Sequence, residues 1–161
     1  MKKELISLCI GEIVASLTFI LALISVKNNT NVNIDVVIMY PFCVLLFILF
    51  QGSYYWFYRL KMITGKKVNK NGFRRTYRLL KIIDLILILL YPVIIILGFA
   101  YDDVVFTKFS TLIGIFIYLF GIAEIINYFY VRLSYSKAKD IVALLKLKNL
   151  KKSSLNSELN K

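Results

Sequence analysis

The sequence has 161 residues, 59% of them hydrophobic, and a mean hydropathy of +0.72. Ordinary soluble domains are only about 45–50% apolar, so this composition excludes that class and indicates a membrane protein. The net charge is +12, but the basic residues cluster between and after apolar segments and no nucleic-acid-binding motif accompanies them. Membrane topology therefore explains the charge, and we expect no nucleic acid as a partner.

The first apolar segment covers residues 5–26, and a membrane span needs about 20 such residues. Two lysines precede it, as in a signal peptide, but Glu12 interrupts it and no A-x-A cleavage site follows. We therefore predict a retained transmembrane helix. Ser7, Gly11 and Ala15 recur every four residues, which predicts a small-residue face that allows another helix to approach closely.

The second span is predicted over residues 36–58, and it ends in a dense aromatic run typical of the membrane interface. Residues 59–78 contain many basic and no acidic residues, and glycines mark turns within them. We predict a long loop there. The positive-inside rule places this loop in the cytoplasm, beside anionic lipid headgroups.

The third and fourth spans are predicted over residues 79–100 and 108–130. Pro92 lies within the third span, where it should kink the helix. The connecting segment contains two aspartates and is predicted to lie outside the cell. Residues 134–150 predict a basic amphipathic helix on the inner membrane surface, and the polar residues 151–161 predict a disordered tail.

These elements predict an all-α membrane protein with four transmembrane helices, both termini in the cytoplasm and a C-terminal amphipathic helix. Residues 1–133 would form the transmembrane bundle. The Lys-, Asn- and Ile-rich composition suggests a bacterial source, and hence the bacterial cytoplasmic membrane.

Each span carries one strongly polar side chain: Glu12, Gln51, Asp84 and Glu124. From the rise of ~1.5 Å per residue, all four lie roughly 7–11 Å inside the cytoplasmic boundary. We therefore predict a buried polar layer at one level of the bundle. A charged group in a span costs on the order of 2.5–3.5 kcal/mol, so these side chains should face the interior and find partners.

Candidate partners lie near the same level. Asn127 would join the layer, and Arg59, Lys81 and Arg132 would supply counter-charges, with Lys81 nearest to Asp84. One interpretation is a hydrogen-bond and ion-pair layer that fixes helix packing. The other is a proton, cation or headgroup site, for which an all-oxygen cluster suits a hard cation better than zinc.

A weak internal repeat relates the two halves of the chain. Tyr55–Leu60 resembles Tyr128–Leu133, and the same offset lays Gln51 on Glu124. Nearly the same offset lays Glu12 on Asp84. The halves would then be helical hairpins related by an axis along the membrane normal. The alternative is that an aromatic run followed by Arg is simply how an apolar helix ends at the cytoplasm.

The segments Gln51–Trp56 and Glu124–Tyr135 resemble a family of small four-span membrane proteins from low-GC Gram-positive bacteria, some of which are labelled "general stress protein". The overall plan is also similar, so the resemblance covers most of the chain. It implies a bacterial cytoplasmic membrane protein and carries over no catalytic residue.

The sequence has no His and no HExxH, GxSxG or paired-Asp motif, and its two cysteines are isolated. We therefore expect neither an enzyme nor a metal or other cofactor. The favoured hypothesis is a membrane protein that acts through a partner, as an accessory, stress-response or toxin-immunity protein. The alternative is a small oligomeric ion or proton transporter or channel that uses the carboxylate layer. A membrane-protein partner or a homo-oligomer is expected in either case.

Overall fold

The computed structural model describes residues 2–29, 34–65, 67–100, 108–130 and 153–159. These residues form five helices: α1 (Lys2–Asn29), α2 (Val36–Ile63), α3 (Lys70–Ala100), α4 (Lys108–Phe129) and α5 (Ser154–Leu159). The first four are long and apolar enough to cross a membrane. The predicted all-α fold with four spans is thus confirmed. The predicted amphipathic helix over 134–150 lies outside the described residues.

The predicted long loop over residues 59–78 is wrong, because α2 and α3 extend into it from both sides. The Thr64 backbone N–H closes the end of α2 with a 3.1 Å hydrogen bond to a carbonyl one turn back, and Gly65 follows with a φ of 74°. The Asn69 side chain then caps α3 by accepting a 2.9 Å hydrogen bond from the Gly72 N–H. Both helices therefore carry their basic residues on helical turns beyond the apolar segments.

Helix α2 is the centre of the bundle. In its most apolar 18-residue window 56% of the residues are buried, against 6% for α1 and 11% for α3. Both α1 and α4 pack along α2, whereas α3 approaches α2 and α4 at fewer positions. The long apolar runs of α1 and α3 are therefore mostly free to face lipid or another protein.

Helix α4 packs against its neighbours through small residues on its inner face, including Ser110, Gly114 and Gly121. A methyl group at position 114 would overlap the Tyr91 hydroxyl and the Val37 carbonyl. Three helices thus meet at Gly114, and the missing side chain permits this close approach.

The inner face of α1 has alternating spacings of four and three residues, typical of left-handed helix packing. It is formed by Leu5, Cys9, Glu12, Ser16, Phe19, Leu23 and Val26. The predicted small-residue face does not make this contact, since Ser7 and Gly11 are exposed and a Cβ on Gly11 would meet nothing within 4 Å. Ala15 alone of the three packs against the core.

The predicted disorder of residues 151–161 does not describe residues 153–159, which end in helix α5. Leu155 and Leu159, one turn apart, are buried against the aromatic residues of α2, α3 and α4. The Ser153 hydroxyl donates to the Tyr128 carbonyl and accepts a 2.9 Å hydrogen bond from the Asn156 N–H, which caps the helix. A cap and a leucine pair thus order a segment of polar composition. Helix α5 packs at the end of the bundle where α2 ends and α3 begins, which we call the basic end.

Candidate functional site

The buried polar layer has two parts, and the first joins α2 to α3. The Gln51 Nε2 donates a 2.8 Å hydrogen bond to the Asp84 Oδ1, and Asp84 is completely buried. Tyr77 adds a second contact between α3 and α2 at this position, because its hydroxyl donates a 2.6 Å hydrogen bond to the Gln51 backbone carbonyl. One oxygen of each side chain, Gln51 Oε1 and Asp84 Oδ2, has no hydrogen-bond partner among the described residues.

The two predicted counter-charges that the structure describes, Lys81 and Arg59, do not pair with this carboxylate. The Lys81 Nζ lies 4.2 Å from the centroid of the Tyr130 ring, not at Asp84. Arg59 donates a 3.1 Å hydrogen bond to the Tyr55 hydroxyl. Long cationic side chains near the end of a span extend toward the interface, where aromatic rings accept them. The third predicted counter-charge, Arg132, lies outside the described residues.

The second part of the layer lies between α1 and α4. Glu12 and Glu124 are both half-buried and lie within electrostatic range of each other. The Asn127 Nδ2 donates a 3.3 Å hydrogen bond to Glu124. The Tyr128 hydroxyl and the Trp56 indole N–H lie beside Glu12, yet neither has a hydrogen bond of acceptable geometry among the described residues. Glu124 thus has an amide donor, whereas Glu12 faces two polar groups that are not aligned with it.

Tyr128 connects the two parts. Its hydroxyl rests on Gly52, the residue after Gln51, and any side chain at position 52 would overlap it. Tyr128 also lies within electrostatic range of Tyr77, which bonds to Gln51. The four predicted polar residues therefore converge at one level of the bundle, in two pairs.

A small cavity leads from the second part of the layer toward the basic end. Its volume is about 20 Å³, and it is lined by Tyr55, Trp56, Asn127, Tyr128 and residues 153–155. This volume suits one water molecule rather than a hydrated ion.

Sequence reasoning missed the tyrosines that attach α3. Tyr91 donates a 3.0 Å hydrogen bond to the Val37 carbonyl, and Tyr40 donates a 2.8 Å hydrogen bond to the Leu87 carbonyl. Tyr77, Asp84 and Tyr91 recur every seven residues and are fully or almost fully buried on a helix whose other described residues, apart from Phe73, are exposed or half-buried. That spacing in the sequence is the signal that would have identified them.

The chemistry of the layer is that of carboxylate, amide, phenol and indole groups, which accept hydrogen bonds and attract a cation. Across the part of the chain that the structure describes, no group of three or more His, Cys, Asp or Glu side chains is arranged to hold a metal ion. No family model, no curated protein and no solved structure matches the chain.

Proposed function

We propose that this protein is a non-enzymatic integral membrane protein that acts by binding another membrane protein, in an accessory, stress-response or toxin-immunity role. The observation that carries the proposal is the exposure of α1, of which only 6% of the apolar window is buried within the chain. Its exposed residues include Ser7, Gly11, Thr18 and Ala22. Small residues of this kind favour contact with a second helix in a membrane, because they let two backbones approach closely.

Helix α3 provides the contrast. Helix α1 also exposes large aliphatic side chains such as Leu21 at 66%, but between residues 79 and 97 every exposed position of α3 is Leu, Ile, Val or Pro, among them Leu89 at 68% and Ile96 at 66% exposure. Such a surface is well solvated by lipid tails and gains little from a protein neighbour. The partner would therefore lie against α1 rather than α3.

Photo-crosslinking in native membranes tests this proposal. The photoreactive residue p-benzoylphenylalanine would replace Thr18 on α1 or, as the matched control, Ile96 on α3; both positions are exposed in the spans. We expect a discrete, heavier protein adduct from position 18 and mainly lipid adducts from position 96. Lipid adducts alone at both positions would overturn the proposal.

The location we propose is the bacterial cytoplasmic membrane, with both termini inside. This proposal is supported by the basic residues at the ends of α2 and α3 and by the resemblance to the Gram-positive family. The basic end would also contact anionic headgroups. In a cysteine-free background, Lys67→Cys should resist a membrane-impermeant maleimide in intact cells, whereas Asn28→Cys should react. The reverse pattern would contradict this orientation.

Ion or proton transport is a second candidate function, favoured by the half-buried pair of Glu12 and Glu124 next to a cavity that fits one water molecule. The test is a flux assay in liposomes that compares the wild type with Glu124→Gln. Flux that depends on Glu124 would support transport, and the absence of flux under proton, sodium and potassium gradients would exclude it.

A further inference from the structure

The two pairs of the polar layer differ in one respect. In the weak internal repeat Gln51 falls on Glu124, and Glu12 falls on Asp84 at an offset one residue shorter. In the structure Gln51 contacts Asp84, and Glu124 lies within electrostatic range of Glu12. The repeat therefore relates one pair to the other. Gln51 donates a hydrogen bond to its partner, but an ionised carboxylate has no proton to donate. The first pair thus joins a neutral amide to one carboxylate, whereas the second brings two carboxylates together, and Asn127 donates a hydrogen bond to one of them.

Four of the cations that the structure describes at the basic end contact other groups. Lys81 and Arg59 contact aromatic residues, as described above. Arg78 donates a 2.9 Å hydrogen bond to the Leu159 carbonyl, and Arg74 forms a 3.6 Å ion pair with Glu158. None of these contacts involves Glu12 or Glu124.

Two buried polar groups beside the carboxylate pair are further evidence for a binding site there. Tyr128 is only 5% exposed, and its hydroxyl lies beside Glu12 but forms no hydrogen bond of acceptable geometry among the described residues. The Trp56 indole N–H is in the same situation. Buried polar groups are normally hydrogen-bonded, so these two groups and the carboxylate pair together have the character of a site.

The described residues do not fully enclose the carboxylate pair. Further along the same two helices Phe19 and Phe120 are in contact, with ring centroids 5.1 Å apart. At the level of the layer, Glu12 and Glu124 are only half-buried. Gly11, Ala15 and Thr18 follow the edge of α1 next to Glu12 and Phe19, so a neighbouring helix has close access to the carboxylates.

We propose that Glu12 and Glu124 bind the lysine or arginine side chain of a partner transmembrane helix seated against α1 and α4. The proposal rests on the proposed function and specifies the chemistry of the partner. A segment inside the bilayer must be helical to satisfy its own backbone, so the occupant is a helix with one basic residue at this depth. Its cation would balance the carboxylates, and the Tyr128 hydroxyl would donate to the oxygen that the cation leaves free.

The test uses fluorescently labelled full-length protein in phosphatidylcholine vesicles. The probe is a leucine-rich transmembrane peptide with one lysine about seven residues from its cytoplasmic end, and the control peptide has leucine at that position. Energy transfer reports binding. We expect the lysine peptide to bind about tenfold more tightly than the leucine peptide, the scale of one strong polar contact between membrane helices.

Substitutions of the carboxylates test which residues cause the preference for the lysine peptide. Glu12→Gln and Glu124→Gln should each reduce the preference for lysine, and together abolish it. Asp84→Asn is the matched control, since this carboxylate lies at the same level but is completely buried and already bonded to Gln51. It should leave the preference unchanged. The comparison of the two peptides on the wild type does not depend on whether a variant folds.

Three outcomes would overturn the inference: equal binding of the two peptides, a lysine preference that survives the double substitution, or loss of that preference in vesicles rich in phosphatidylethanolamine. The last result would assign the site to the ammonium group of a lipid. If the crosslinked partner at position 18 persists while the lysine preference fails, this inference is wrong and the proposed function stands.

Discussion

The Gln51 amide donates a 2.8 Å hydrogen bond to the Asp84 carboxylate, and both side chains are buried where α2 meets α3. In Gln51→Leu, Asp84 loses its donor, and we expect a loss of about 1–3 kcal/mol in the free energy of unfolding. Asp84→Asn removes the charge but keeps an oxygen acceptor, so it should cost much less. Titration with sodium dodecyl sulfate in mild detergent micelles measures both.

A double-mutant cycle isolates the contact between these side chains. Because Gln51→Leu and Asp84→Leu remove opposite halves of one bond, the double variant should be more stable than the sum of the two losses requires. Strictly additive losses would show that the two side chains are energetically independent.

Each tyrosine that attaches α3 should contribute separately to the stability of the bundle. Tyr77→Phe and Tyr91→Phe each remove one hydroxyl that donates to a carbonyl of α2. We expect each to lower the free energy of unfolding by about 0.5–1.5 kcal/mol, as measured by the same detergent titration. Tyr54→Phe is the control because Tyr54 is 57% exposed. An equal loss in all three variants would argue against specific hydrogen bonds.

The close packing at Gly114 can be tested by comparing an alanine substitution there with the same substitution at a glycine that has free space around it. In Gly114→Ala, the added methyl group would overlap Tyr91 and the Val37 carbonyl, whereas in Gly11→Ala it meets nothing within 4 Å. We expect Gly114→Ala to destabilise the bundle by about 1–3 kcal/mol, the usual cost of overpacking. Gly11→Ala should be neutral or slightly stabilising, since alanine favours helix. Thermal unfolding in detergent distinguishes the two, and similar midpoints would contradict the packing described for α4.

Helix α5 should depend on its cap. Ser153→Ala removes the hydroxyl that bonds to both the Tyr128 carbonyl and the Asn156 N–H. Loss of a cap costs about 0.5–2 kcal/mol, enough to weaken a helix this short. Hydrogen exchange followed by mass spectrometry should show faster exchange in residues 154–159, with the four spans unchanged. Ser157 is exposed, and Ser157→Ala removes only a local hydrogen bond to the Ser153 carbonyl, so this variant is the control.

The apolar runs predicted the four spans because composition reports directly which residues enter a bilayer. It does not report where a helix ends. Helices α2 and α3 continue past the apolar segments on basic turns, and Thr64, Gly65 and Asn69 set their boundaries by capping. The predicted loop over residues 59–78 was wrong for that reason.

The members of the polar layer were predictable because carboxylates are conspicuous in apolar runs, but their partners were not. Lys81 is one turn from Asp84 in sequence, and its long side chain reaches Tyr130 instead. Gln51 comes from another helix, so its contact with Asp84 depends on packing that no local pattern shows. Only the aromatic run at the end of the second span was interpreted, as an interfacial belt, and no role inside the bundle was predicted for Tyr77 and Tyr91.

The bond between Gln51 and Asp84 also bears on how the chain enters the membrane during synthesis. An aspartate alone in a span costs on the order of 2.5–3.5 kcal/mol. Since the ribosome makes α2 before α3, the Gln51 amide is already in place when Asp84 arrives. Helix α3 can thus insert alongside α2, with its acidic group received by protein. The α2 groups that bond to α3 are thus synthesised before their α3 partners. Helix α2 can therefore act as an internal template for the insertion of α3.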